Sequence, residues 1–201
     1  MTEPEEPEGE PLPASPFPFT GKRRRLPEEG TLEVFVTDEQ SSEPVDCARW
    51  QGLAAAVLAH EGIRGEAELS VLFVDESTIA ELNHRFMAAD GPTDVLAFPI
   101  DDGDLAEPGR SPDSSTTGPA DPRTRGELTD PPLLLGDVVI CPSVAARNAP
   151  DHAGTYDDEL ALLLVHGILH VLGSDHLEPE EEAAMQARER DLLARFHTPL
   201  A

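Results

Sequence analysis

The chain has 201 residues, with 40 acidic against 14 basic side chains and a formal net charge of −26. So acidic a chain repels nucleic-acid phosphates at ordinary ionic strength, which excludes a basic DNA-binding module. It has no run of 18 apolar residues, so no membrane-spanning helix is expected. The acidic, Pro-rich start M-T-E-P-E-E-P has no apolar stretch of the secretory kind, so a cytoplasmic location is expected.

Residues 1–30 are rich in Pro and Glu and are read as a disordered N-terminal extension. The basic run Lys22 to Arg25 within it is either a solvated patch or a phosphate contact. Thr31 to Val36 alternates and is β-branched, which predicts a strand. Pro44 suits the start of a helix that carries Cys47, Trp50, Ala54, Val57 and Leu58 at helical spacing and stops at Gly62. Cys47 and Cys141 are read as free thiols in a reducing compartment. Ala67 to Val74 is a second strand. Asp75 is a good N-cap for a helix whose apolar face is Ile79, Leu82 and Phe86. Asp90 to Thr93 is a turn, and Asp94 to Phe98 a third strand. Residues 101–132 are dominated by Asp, Gly, Pro, Ser and Thr and are read as a disordered insertion. Leu133 to Ile140 is a fourth strand, and Pro142 opens a short helix.

Thr155 caps the next helix, which runs through the apolar segment Leu160 to Val165 to the stretch His166–His176, H-G-I-L-H-V-L-G-S-D-H. Three of the seven histidines fall within these eleven residues. His166 and His170, four apart, share one helix face. Gly173 can take the left-handed conformation that ends a helix, so the chain can return and bring His176 towards them. Three imidazoles with a fourth position left to water are the pattern of a catalytic zinc site. At this histidine frequency the spacing arises by chance roughly 0.01 times in such a chain. It matches the metzincin peptidase signature H-E-x-x-H-x-x-G-x-x-H except that Gly167 stands where the general-base Glu belongs, which disfavours a peptidase. Asp175 is either a hydrogen-bond acceptor for a ligand histidine or the cap of the turn. Thr93 and Asp94 either line the cleft or only start a strand. The last helix runs from near Pro179 to about Phe196, with Met185, Leu192 and Phe196 on one face. The element order predicts an α+β fold with a small four-stranded mixed sheet and about five packed helices.

Several of these segments together resemble the YbeY family of bacterial endoribonucleases, or rRNA maturation factors. His166 to His176 fits the family signature H-G-x-L-H-x-x-G-x-D-H at every fixed position, and Asp90 to Pro99 and Leu135 to Cys141 resemble its other two blocks. The likeness covers roughly 31–100 and 133–198. It implies a zincin-like, metal-dependent hydrolase domain over residues 31–201 and one zinc ion held by His166, His170 and His176. It further implies cleavage of single-stranded RNA in 16S rRNA 3′-end maturation and ribosome quality control, with the small ribosomal subunit as partner. The chain departs from the family pattern at Met87, where many members carry arginine. Arg85 lies two residues away, on a helix nearly the opposite face. Two alternatives stand beside this reading: a metzincin-like zinc peptidase, and a non-catalytic ribosome assembly factor with a structural metal.

The acidity is not confined to the tails. Residues 1–30 carry 7 acidic and 4 basic groups and residues 101–132 carry 8 and 3, which leaves a net −18 on the rest. Self-repulsion of that size is screened in a salt-rich cytoplasm, where the Debye length falls to about 3 Å at 1 M. The melting temperature is therefore expected to rise with added KCl; a steady fall would remove the salt-adaptation idea.

Overall fold

Four apolar segments pair into one sheet: β1 (Leu32–Asp38), β2 (Ala67–Phe73), β3 (Val95–Pro99) and β4 (Leu133–Ile140), in the order β1-β2-β4-β3. The computed structural model describes residues 31–100, 132–174 and 179–199. The expected disorder of 1–30 and, apart from its last residue, of 101–132 concerns residues outside this set, as do Asp175 and His176. β1, β2 and β4 run parallel, with Val34 opposite Leu69 and Val71 opposite Val138. β3 is antiparallel to β4, with Val95 opposite Ile140 and Pro99 opposite Gly136. The sheet is mixed, and five helices pack on it, as the element order predicts: α1 (Cys47–His60), α2 (Glu76–Leu82), α3 (Pro142–Asn148), α4 (Tyr156–Val171) and α5 (Pro179–Phe196).

Alternation along the strands sorts side chains into two layers. Ala67, Leu69, Val71 and Phe73 of β2 join Val138 and Ile140 of β4 beneath α1, α4 and α5. On the other face Val139 of β4 and Leu96 of β3 pack with Ile79 of α2 and Val144 of α3. The larger layer contains Trp50, Leu53, Val57 and Leu58 of α1 and most of α4, so it is the principal core.

Three expectations need correction. α1 begins at Cys47, capped by Asp46, whose carboxylate accepts from the Arg49 amide at 3.2 Å, and not at Pro44. Pro44 instead lends its carbonyl to the Tyr156 hydroxyl. The short helix after β4, expected to run from Pro142 through Ala149, ends at Asn148 and passes into a 3₁₀ turn, Ala149–Asp151. The third correction is Phe86. Asp75 caps α2 as expected, accepting from the Thr78 amide at 2.8 Å, and Ile79 is fully buried. The helix then widens into a π-helical turn, Asn83–Met87, that ends on Ala88 at φ +53°. A π turn holds an extra residue, which rotates the side chains beyond it off the apolar face. Phe86 is 54% exposed, set edge-on to Phe98 with the Arg85 guanidinium over its ring.

Gly167 fixes how closely α4 approaches the sheet. A β-carbon built there would lie 2.6 Å from Cγ1 of the buried Val138. Gly167→Ala therefore overpacks the core, at about 1–3 kcal/mol, against roughly 1 kcal/mol gained in helix propensity. The expected net effect is destabilisation and a melting temperature lower by a few degrees in a thermal scan.

Candidate metal centre

α4 places the two described histidines of the H-G-I-L-H stretch. Its start is fixed by Thr155, whose hydroxyl accepts from the Asp158 amide at 3.1 Å and donates to the Asp158 carboxylate at 2.6 Å. Its end is a Schellman turn: the Gly173 amide donates to the His170 carbonyl and the Ser174 amide to the Leu169 carbonyl, both at 2.9 Å. Gly173 sits at φ +85°, in the left-handed region the sequence assigned to it.

Between Leu160 and Val171 every residue of α4 is buried except Leu162, His166 and His170, which are only partly covered. Their spacing of four makes a single open stripe on an otherwise enclosed helix. The two imidazoles meet there at a ring-centroid distance of 4.6 Å, with Nε2 of His166 3.1 Å from Nε2 of His170. Two nitrogens sharing one tetrahedral zinc at 2.0–2.1 Å stand about 3.3 Å apart. The pair thus fits a common divalent ion. The far nitrogen of His166, Nδ1, is 2.7 Å from Oε1 of Glu189 on α5.

The carboxylate of Asp94 is committed to its neighbours. Asp94 accepts from the Val95 amide at 2.9 Å and the Thr93 hydroxyl at 3.2 Å, and its second oxygen accepts from Asn148 at 3.2 Å. It pins the start of β3 to α3. Met87 and Arg85 are both exposed.

Two carboxylates missed by sequence reasoning carry much of the local electrostatics. Glu189 is 7% exposed although its side chain is polar. It lies four residues after Met185 and three before Leu192, inside the buried stripe of α5; an acid in an apolar stripe is the signal that could have exposed it. Glu159 is fully buried and lies seven residues before His166, on the same face of α4. It accepts from His152 Nδ1 at 2.9 Å and from the Ala153 amide at 3.1 Å, tying the loop before α4 to the helix. The Glu159 hydrogen bond raises the His152 pKa above its ordinary value against the opposing effect of burial, helped by the fields of Glu159, Asp94 and Glu189.

A second group of ligand-type side chains, Asp157, Asp158 and His197, gathers at the other end of α4. The Arg49 guanidinium already bridges Asp157 and the Thr198 carbonyl. Asp158 is held below the usual carboxylate range by Thr155 and then by His197. A guanidinium and a helix cap account for this cluster without an ion.

A mixed sheet with a buried helix that presents paired imidazoles at its open edge is the α+β fold of the metal-dependent hydrolase type. Comparison with known proteins narrows this. The family model described as Endoribonuclease YbeY matches residues 35–197, and the chain belongs to that family. A relative from Salinispora tropica named Endoribonuclease YbeY is 45% identical over 167 residues, which is 83% of this chain and 98% of that protein. Relatives of the same name from Frankia casuarinae and Thermobifida fusca are each 42% identical, covering 82% and 84% of this chain and 75% and 97% of their own lengths.

Because the folded-state pKa of His152 is raised, its contact with Glu159 stabilises fully below about pH 6.5, the unfolded value, and fades as pH rises through the folded value. The melting-temperature advantage of wild type over His152→Gln is expected to shrink as pH climbs above that point. An advantage that stays level or widens would contradict the assignment.

Proposed function

We propose that this protein is a metal-dependent endoribonuclease that cuts single-stranded RNA in 16S rRNA 3′-end maturation and ribosome quality control. One zinc ion would be held by His166, His170 and His176. The observation that carries the metal reading is the 3.1 Å approach of the two Nε2 atoms on the open stripe of α4. The RNA substrate follows from family membership and from the shared name of its relatives. His176 lies outside the described residues, and its place in the ligand set rests on the family signature and on the end of α4 at the left-handed Gly173.

When bound, zinc supplies Lewis acidity: it polarises a phosphoryl oxygen and makes water acidic enough to attack near neutral pH. The chain's own groups prepare the site. His166 is anchored at Nδ1, and α4 holds His170 one turn further on. Gly167 is the position at which a peptidase would carry its general base. Here that position faces Val138, with no room for a side chain. The peptidase alternative therefore lacks both its base and a place to put it. A phosphodiester demands less of the protein, because metal-acidified water would reach its nucleophilic form without a strong base.

The net charge of −26 leaves little scope for affinity through phosphate contacts. Protein surfaces of the small ribosomal subunit are the proposed source of the remaining affinity. No described helix is long and apolar enough to cross a membrane, and the proposed location is the cytoplasm. Residues 31–201 are read as the catalytic domain, with 1–30 an extension and 101–132 an insertion.

The test is zinc content of the purified protein together with cleavage of a short single-stranded RNA. Chelator is expected to abolish cleavage and zinc to restore it. His170→Ala is expected to lose both zinc and cleavage while keeping its fold by circular dichroism. Cleavage indifferent to chelator would overturn the metal reading. Zinc retention without RNA cleavage, with rRNA maturation intact in cells, would favour the assembly-factor alternative.

A further inference from the structure

We propose that Glu189 is a positioning residue of the metal centre: its carboxylate keeps the proton of His166 on Nδ1, so that Nε2 presents a lone pair beside Nε2 of His170. This inference rests on the metal reading above and deepens it.

A neutral imidazole has one donor nitrogen and one acceptor. An ionised carboxylate only accepts, so Nδ1 of His166, 2.7 Å from Oε1 of Glu189, is the donor. That leaves Nε2 without its proton, the form a metal ligand needs. The same bond orients the ring, because it fixes one edge of the imidazole against a second helix.

Glu189 is in turn held firmly. Met185 and Leu192, on the same stripe of α5, are buried in the principal core. The neighbouring Arg188 donates through Nε to Glu61 at the end of α1, at 3.0 Å. α5 thus cannot turn to release the carboxylate without disturbing the core on both sides. A buried acid also carries a desolvation penalty that only a committed partner offsets. The family signature at His166–His176 does not contain Glu189. It enters the site from a separate helix, through the fold.

The experiment uses the full chain, stripped of metal by chelator, and zinc alone as the probe. Three proteins are compared: wild type, Glu189→Leu and Glu189→Gln. Zinc affinity is measured by competition with a chromophoric chelator, the His166 tautomer by imidazole nitrogen NMR, and folding by thermal melting. Leu suits the apolar stripe, so Glu189→Leu is expected to fold yet to bind zinc about 10–100-fold more weakly. Gln keeps an oxygen that accepts the Nδ1 proton, so Glu189→Gln is expected to recover most of that loss. Wild-type His166 is expected to carry its proton on Nδ1, and Glu189→Leu to show a mixture. Zinc binding by Glu189→Leu as tight as wild type, or a wild-type proton on Nε2, would overturn the proposal. Should Glu189→Leu fail to fold, the wild-type tautomer and the Gln variant decide. A wild-type chain that takes up no zinc would sink the metal reading itself, and the tautomer measured without metal would still decide the role of Glu189.

Discussion

The contact of Gly167 with Val138 governs the arrangement around it. Removing one side chain from α4 lets that helix lie against β4 closely enough that its flanks are enclosed by core. Between Leu160 and Val171 only the stripe of Leu162, His166 and His170 escapes. Imidazoles on a looser helix would be solvated on all sides and free to change rotamer. Here the backbone that carries them is pressed onto a sheet and stopped at both ends, by Thr155 and by the turn at Gly173. The pair is thereby preorganised, which is what the proposed cation site requires.

Buried acids fasten the rest to this platform. Glu159 holds the loop containing His152, Glu61 holds α5 through Arg188, and Glu189 reaches from α5 to His166. Each is almost or wholly enclosed and each meets a cationic or hydrogen-donating partner. In a chain with 40 acidic residues these three differ from the surface majority. An exposed ion pair contributes little, whereas removing one partner of a buried pair leaves an uncompensated charge. The three contacts thus specify the geometry of α1, α4 and α5 more than they add stability.

The sequence disclosed most of the framework through local rules. Alternation marked the first strand, and the other three were read at nearly their observed bounds. Asp75, Thr155 and Gly173 marked helix ends, because capping chemistry is confined to a few neighbouring residues. The helix spacing of His166 and His170 carried over directly into their approach. What escaped was non-local or without a compositional mark. The π turn at Asn83–Met87 uses ordinary helix-forming residues, so nothing announced that Phe86 would rotate outward. Glu159 is one of three consecutive acids in the first turn of α4, yet only the fold shows that it is the buried one, with His152 as its partner. Glu189 was visible as an acid in an apolar stripe, but its partner lies 23 residues away on another helix.

The antiparallel pairing of β3 with β4 has a consequence for chain length. These strands are consecutive in sequence and lie side by side, which in most proteins is achieved with a connection of two to five residues. Here 33 residues separate Pro99 from Leu133. Closure entropy grows only logarithmically with length, at about 0.6 kcal/mol per doubling, so three doublings oppose folding by roughly 2 kcal/mol. The hairpin register, set by side chains facing two packed layers, is indifferent to what joins its arms. A reporter peptide or affinity tag inserted at that junction should therefore leave the pairing of β3 with β4 intact.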